Sequence, residues 1–119
     1  MPWIFQQSTG RLSHNQQSIE QGYSGFPPHV NRPDSQHRVN LGPIPIGEYR
    51  LGIVTSSRGP LTIVLHPSPH NIMFGRHSFR IHGDSLTKPG YASQGCINLK
   101  ARTRQLMANS ADRLVRVIR

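Results

Sequence analysis

Short runs in which apolar and polar residues alternate recur along the chain, and this pattern predicts strands separated by turns. At the start, Trp3–Phe5 and Arg11–Leu12 flank the turn sequence Ser8–Gly10, which predicts an opening hairpin. At the other end, Leu114–Ile118 alternates in the same way and is expected to close a sheet. The two ends of the chain are therefore predicted strands.

The middle of the chain predicts a second hairpin. Gly42–Gly47 alternates prolines with isoleucines, and proline lacks an amide donor, so this stretch is expected at a sheet edge or at a strand entry. A strand is predicted over Glu48–Val54, followed by a turn at Ser56–Pro60. Leu61–Leu65 is the most apolar run and the best candidate for a central strand. The expected buried face of the preceding strand carries Tyr49, Leu51 and Ile53.

The remaining stretches add loops and one helix. Phe26–Asn40 contains three prolines and reads as a long loop, which in a compact domain is often a lid or a binding loop. Leu99–Met107 is loosely helical, with Asn98 as a candidate N-cap. Six or more short strands with one convincing helix predict a mainly β fold, built as a curled sheet or as two packed sheet layers with one or two short helices.

Length and composition limit the organisation of the chain. A length of 119 residues predicts a single domain over residues 1–119, because a second domain would have too little core. One cysteine excludes an internal disulfide and a four-cysteine zinc site. No run of 18 apolar residues exists, so no transmembrane segment is predicted. The first residues lack a basic region and a long apolar stretch, so no signal peptide is expected.

The formal net charge of +9 raises the hypothesis of a nucleic-acid binder. The arginines are scattered, however, few aromatics lie among them, and no known nucleic-acid motif is present. Attraction to an anionic cell wall or to an acidic partner protein explains the charge equally well. We therefore expect no nucleic-acid partner.

A metal site and a cofactor are not expected either. His66 and His70 have the spacing of two zinc ligands on a helix, but Pro67 and Pro69 lie between them and forbid that helix. Neither an acidic residue nor a cysteine accompanies the pair. These histidines are interpreted as polar loop residues.

The candidate chemistry lies at His82 and Cys96, which have thirteen residues between them and each stand beside a glycine. A lone cysteine is most often a small inert hydrophobe, so context has to decide. Phe79 and Ile81 alternate with Arg80 and His82, which predicts a strand that ends at His82, just before Gly83, with His82 facing a cleft. Cys96 follows a predicted tight turn and precedes a predicted helix, whose N-terminus would favour a thiolate and an oxyanion.

These motifs resemble a known family. His82-Gly83-Asp84 followed by Ser93-Gln94-Gly95-Cys96-Ile97 is similar to the active-site signature of L,D-transpeptidase (YkuD-like) domains, most closely to the Tlde1-like branch of type VI secretion effectors. The resemblance covers nearly the whole chain. Three further stretches support it, namely Gln7–Gly10, Gly22–Gly25 and Gly42–Tyr49.

The resemblance implies a cysteine L,D-transpeptidase or L,D-carboxypeptidase of the L,D-transpeptidase-like catalytic fold, acting on the tetrapeptide stems of peptidoglycan. Cys96 would be the nucleophile and His82 the base that later protonates the leaving D-alanine. The amides of Gly95 and Cys96 are the expected oxyanion donors. Asp84 would either orient His82 or stabilise the turn with Gly83. Other implied contributions are turn formation by Ser93 and substrate binding by Arg76, Arg80, Tyr23, Ser24 and Gln94.

The sequence departs from the larger family at two positions, both interpreted as features of the effector branch. Gln94 stands where that family has histidine, and Asn98 stands where it has arginine, which leaves open which residue holds the substrate carboxylate. The histidine missing at Gln94 motivates the alternative, a non-catalytic module on the same scaffold that binds cell wall or nucleic acid. The resemblance otherwise implies a protein made in the cytoplasm, exported by the type VI secretion machinery, active in the periplasm of the target bacterium and matched by a cognate immunity protein.

Overall fold

The computed structural model describes all residues from 1 to 119, and β structure dominates it. Nine short strands are accompanied by one α-helix and by a single 3₁₀ turn at Pro33–Ser35. The strands are β1 (Trp3–Gln6), β2 (Arg11–His14), β3 (Gln17–Gln21), β4 (Tyr23–Ser24), β5 (Gly47–Thr55), β6 (Thr62–Pro67), β7 (Arg80–His82), β8 (Ile97–Asn98) and β9 (Leu114–Ile118), and the helix is α1 (Ala101–Ala108). The expected mainly β fold is confirmed.

All nine strands form one mixed sheet in the order β3-β2-β1-β9-β5-β6-β7-β8-β4. The pairs β1/β9 and β7/β8 are parallel, and every other neighbouring pair is antiparallel. The opening hairpin is confirmed by the pairing of β1 with β2. The closing strand and the central strand are also confirmed, since β9 lies between β1 and β5 and β6 lies between β5 and β7.

The core explains why these stretches become strands. A cluster of 15 buried apolar residues draws mainly on alternate positions of the strands. It also includes Met107 of α1, the helix that packs against β6 and β7. Ile81 and Ile97 are fully buried, and each lies next to a residue of the candidate site. The strands that carry the site are therefore anchored from the core side, which leaves their polar face available.

Two local predictions are wrong. Ile53 does not share the buried face of Tyr49 and Leu51, because a bulge between Leu51 and Val54 shifts the register and leaves Ile53 71% exposed. Asn98 is not a helix cap, because parallel pairing with β7 extends residues 97–98 as β8. The helix starts two residues later, with Lys100 at its N-cap and no side-chain cap bond. None of the helices has the length and apolar character needed to span a membrane.

Candidate active site

Parallel pairing of β7 with β8 brings His82 and Cys96 to one place. Ile81 is in register with Ile97 and His82 with Asn98, so Cys96, one residue before β8, lies level with Arg80. Alternate residues share a face, which puts Cys96 on the face of His82 as its diagonal neighbour, about 7–8 Å away by backbone. Both residues line one cavity of about 210 Å³. The rest of its lining is Arg58, Tyr91, Ala92 and Gln94.

Hydrogen bonds around His82 determine which ring nitrogen carries the proton. Its Nδ1 lies 2.9 Å from the carbonyl oxygen of Gly83, a group that only accepts. The Nδ2 of Asn98 donates to the same oxygen at 2.9 Å and to the carbonyl of His82 at 3.3 Å. This network assigns the proton to Nδ1 and leaves the lone pair on Nε2. His82 is therefore arranged as a proton acceptor at Nε2.

His82 is kept neutral by its surroundings. Burial lowers its pKa, the hydrogen bond with Gly83 acts in the opposite direction, and the positive charges of Arg58, Arg104 and Arg80 lower it further. Since the ordinary pKa of histidine is about 6.5, the ring is uncharged at neutral pH. A neutral imidazole is the form that takes a proton from a thiol.

The thiol of Cys96 is half-buried and protonated at rest. Burial raises its pKa, although the backbone N–H of Arg80 and the charges of Arg58, Arg80 and Arg76 act to lower it. The expected thiolate at a helix N-terminus is wrong, because β8 separates Cys96 from α1. The pair at rest is a thiol beside a neutral imidazole, so any attack by this thiol would have to be coupled to proton transfer.

The turn before Cys96 is fixed by two buried serines. Ser93 Oγ donates to the carbonyl of Cys96 and accepts from the N–H groups of Gly25 and Gly95. Ser24 Oγ donates to the carbonyl of Gly95 at 2.8 Å. The N–H of Gly95 is thus occupied by Ser93, whereas the N–H of Cys96 has no acceptor in the chain. Of the two expected oxyanion donors, the amide of Cys96 is the one left available.

Arg76 is buried beneath the same turn. Its guanidinium donates to four backbone carbonyls and also stacks over the Phe79 ring at 5.1 Å. The carbonyls belong to Gln36 at 2.5 Å, Pro43 at 2.7 Å, Gly42 at 2.9 Å and Gln94 at 3.2 Å. Arg76 lines a second cavity with Cys96. Its guanidinium donors are used within the chain, however, where they link the loop at residues 36–43 to the turn at Gln94.

Asp84 takes the turn-stabilising option that the sequence left open. Its carboxylate accepts from the backbone N–H groups of Ser85 and Gly90 and from the hydroxyl of Tyr23 at 2.6 Å. Burial works against its charge, but these hydrogen bonds lower its pKa overall. Tyr23 also accepts from the N–H of Ala92. Tyr23 and Asp84 thus shape the loop between His82 and Ser93, and neither contacts the imidazole nitrogen.

The sequence-derived substrate residues separate into two groups. Gln94 is exposed and lines both cavities next to Cys96, and Arg80 lines the second cavity of about 200 Å³. Ser24 is fully buried, and Tyr23 lines a different cavity with Gly83 and Asp84. Only Gln94 and Arg80 are placed by this geometry to reach a molecule at the thiol with uncommitted side-chain surface.

Two residues of the site were not assigned a role from the sequence. Arg58, at the tip of the β5–β6 hairpin, lines both cavities that contain Cys96. Asn98 contacts His82, although the sequence had identified it only as a departure from the larger family and as a candidate cap. Nothing in the sequence near Arg58 indicates the site. For Asn98, the alternation that placed His82 on one face would have sufficed had residues 97–98 been predicted as a strand.

The sequence of the chain matches one known protein family. A family model described as the Tlde1 domain matches residues 18–118, a segment that begins in β3, ends in β9 and contains both His82 and Cys96. No curated protein matches the chain, and no solved structure does.

Proposed function

The chain belongs to the Tlde1 domain family, which indicates a type VI secretion effector, and we propose that it is a cysteine acyl-transfer enzyme acting on peptidoglycan tetrapeptide stems. The observation that carries the proposal is the shared cavity of Cys96 and His82, with the imidazole lone pair on Nε2. Its reaction is release or exchange of the terminal D-alanine, which makes it an L,D-carboxypeptidase or an L,D-transpeptidase.

The first half-reaction follows from the resting protonation states. Cys96 sulfur attacks the carbonyl carbon between the third residue and D-alanine while Nε2 of His82 accepts the thiol proton. The carbonyl oxygen becomes an oxyanion, and the unoccupied N–H of Cys96 donates to it. Collapse breaks the C–N bond, and the imidazolium gives its proton to the departing amine. The product is an acyl-enzyme at Cys96 and free D-alanine.

The second half-reaction depends on the acceptor. Water attacks the thioester with His82 as the base, which frees a tripeptide stem and restores the thiol. A free D-amino acid or the amine of a neighbouring stem attacks in the same way and gives exchange or cross-linking. Protonated Nδ1, held by Gly83, keeps Nε2 in position through both halves.

The surface charge supports an anionic substrate. The chain has fourteen basic and five acidic residues, and the charges of three arginines act to lower the pKa of the Cys96 thiol. Peptidoglycan stems carry carboxylates, so a cationic cleft raises their local concentration and their rate of association. The same charge suits an acidic cognate immunity protein that would cover the cleft in the producing cell.

Incubation with disaccharide-tetrapeptide muropeptides followed by mass spectrometry tests the proposal. The wild-type protein should convert tetrapeptide to tripeptide, or exchange the terminal residue when a free D-amino acid is supplied. Cys96→Ala should abolish conversion, and His82→Ala should lower it by about 10²- to 10⁴-fold. His70→Ala, at an exposed loop histidine, is the matched control and should retain full conversion. Tetrapeptide left intact by the wild-type protein would contradict the proposal.

One observation favours a second candidate, a non-catalytic wall-binding module. Burial raises the pKa of the Cys96 thiol, as it does for an inert structural cysteine. Such a module would retain tetrapeptide muropeptides without releasing D-alanine, and Cys96→Ala would bind as well as the wild type.

Delivery and site of action can be tested in cells. We expect toxicity when the protein is directed to the periplasm and none when it stays in the cytoplasm. Cys96→Ala should remove the periplasmic toxicity without loss of folded protein. Equal toxicity of this variant would contradict a catalytic role for the thiol.

A further inference from the structure

Three arginines line the second cavity that contains Cys96, and one of them has a guanidinium with no hydrogen bond to the rest of the chain. Arg76 donates to four backbone carbonyls. Arg80 donates to the carbonyl of Ser78 at 3.0 Å. Arg58 has a single hydrogen bond, from its backbone N–H to Thr62 Oγ1, and its side chain has no partner within the chain. The five N–H donors of Arg58 are therefore available to a bound molecule.

The tip of the hairpin presents Arg58 in a defined place. Gly59 N–H donates to the carbonyl of Ser56 at 3.1 Å, and Thr62 Oγ1 donates to the carbonyl of Gly59 at 2.7 Å. These bonds close the turn around Arg58 without using its side chain. Arg58 thus stands as an exposed cation on an ordered turn at the mouth of the cleft.

Arg58 is close to both catalytic groups of the proposed reaction. It lines the cavity that contains His82 and Cys96, and it also lines the second cavity, which Cys96 shares with Arg76 and Arg80. In acyl transfer from a peptide end, the leaving amine faces the protonating imidazole. The carboxylate of a leaving amino acid is only two bonds beyond that amine, so it falls beside the imidazole as well. A guanidinium at this position matches a carboxylate in a bidentate pair.

We propose that Arg58 is the specificity-determining residue that binds the free carboxylate of the terminal residue next to the scissile bond. This assignment rests on the proposed function and narrows it to reaction at a free C-terminus. It implies that stems whose terminal carboxylate is masked, by an amide or by a further residue, are poor substrates. In exchange, the same guanidinium would hold the carboxylate of the incoming D-amino acid.

The test compares a tetrapeptide muropeptide with its C-terminal amide. The wild-type protein should prefer the acid by about 10- to 100-fold in kcat/KM, the range expected for a charge-assisted pair. Arg58→Gln should lose most of this preference, mainly through a higher KM for the acid, while Arg58→Lys should keep part of it. Arg102→Gln, on the exposed face of α1, removes an equal charge and should leave the preference unchanged.

The diagnostic quantity is the ratio of kcat/KM for the acid to kcat/KM for the amide. The charge of Arg58 lowers the pKa of both His82 and Cys96, so its removal raises both and changes the rates for acid and amide together. Loss of a carboxylate-binding residue lowers kcat/KM for the acid substrate alone. Equal losses on both substrates, or an unchanged ratio in Arg58→Gln, would overturn the assignment.

A binding measurement separates this assignment from the proposed reaction. Calorimetric titration of Cys96→Ala with acid and amide muropeptides needs no turnover. Tighter binding of the acid that disappears in the Arg58→Gln, Cys96→Ala double variant supports carboxylate recognition even if the wild-type protein releases no D-alanine. Release of D-alanine without any acid preference in binding or rate would overturn the role of Arg58 and leave the proposed function intact.

Discussion

The side-chain nitrogen of Asn98 lies 3.1 Å from Nδ1 of His82, and both residues are buried. Both nitrogens direct hydrogens to backbone carbonyls of residues 82–83, so they share an acceptor instead of bonding to each other. The oxygen of the same amide is unsatisfied, because Asn98 Oδ1 is buried without a hydrogen-bond partner. An orphaned acceptor costs about 1–3 kcal/mol, and we interpret Asn98 as a positioning residue that fixes the Gly83 carbonyl to which Nδ1 of His82 donates.

Asn98→Ala should therefore separate activity from stability. It removes the donors that share the Gly83 carbonyl and also removes the orphaned oxygen, so the free energy of unfolding should change by less than about 1 kcal/mol. We expect kcat/KM for D-alanine release to fall about tenfold with little change in KM. Nitrogen NMR of the histidine rings should show a mixed tautomer at His82. Asn109→Ala, at the exposed end of α1, is the control, and a loss of stability matching the loss of activity would contradict a positioning role.

The neutral state of His82 predicts the acid limb of the pH profile. Burial first, and then neighbouring arginines, lower its pKa below the ordinary value of about 6.5. The neutral base is the form present above its pKa, so kcat/KM should remain above half its maximum at pH 6.5 and fall only at lower pH. Protonation also favours the unfolded chain, whose histidine binds the proton more readily, so stability should decline as the pH drops below about 6.5. A midpoint at or above pH 6.5 would contradict this account.

The protonated thiol of Cys96 predicts slow alkylation at neutral pH. Because burial raises its pKa, the midpoint of the iodoacetamide rate against pH should lie above the value of about 8.5 for a free cysteine. Arg58→Gln removes an opposing charge and should move the midpoint higher still. Fast alkylation at pH 7 would indicate a preformed thiolate–imidazolium pair and would require a different first step.

The sequence predicted the strands that bury an alternating face, and it located His82 and Cys96 by their glycine-flanked motifs. It missed β8, because a strand of two residues is too short to show a periodic pattern. This error led to the wrong prediction of Asn98 as a helix cap and of a Cys96 thiolate at the N-terminus of the helix. The partners of Arg76 could not be predicted at all. They are backbone carbonyls of residues far apart in the chain, and backbone acceptors have no sequence signature. Arg58 was missed for a related reason, since a turn arginine is usually a solvated surface residue.

The packing of Arg76 against Gly95 predicts how far the turn before Cys96 tolerates change. Gly95 has φ +134°, and a Cβ there would overlap Nη2 of Arg76 and lie 2.8 Å from the ring of Phe79. Arg76 cannot move aside without losing its backbone carbonyls. Gly95→Ala should thus lower the free energy of unfolding by about 2–5 kcal/mol, from backbone strain together with overpacking.

Gly90→Ala separates these two causes. Gly90 also has positive φ, +88°, but a Cβ there meets nothing within 4 Å, so only the backbone strain of about 1–2 kcal/mol should appear. Chemical denaturation of both variants measures the difference. Muropeptide assays under conditions where each variant is fully folded should show D-alanine release reduced in Gly95→Ala and preserved in Gly90→Ala. Equal destabilisation of the two variants would mean that the Arg76 guanidinium moves aside, and that the turn before Cys96 is less rigid than its hydrogen bonds indicate.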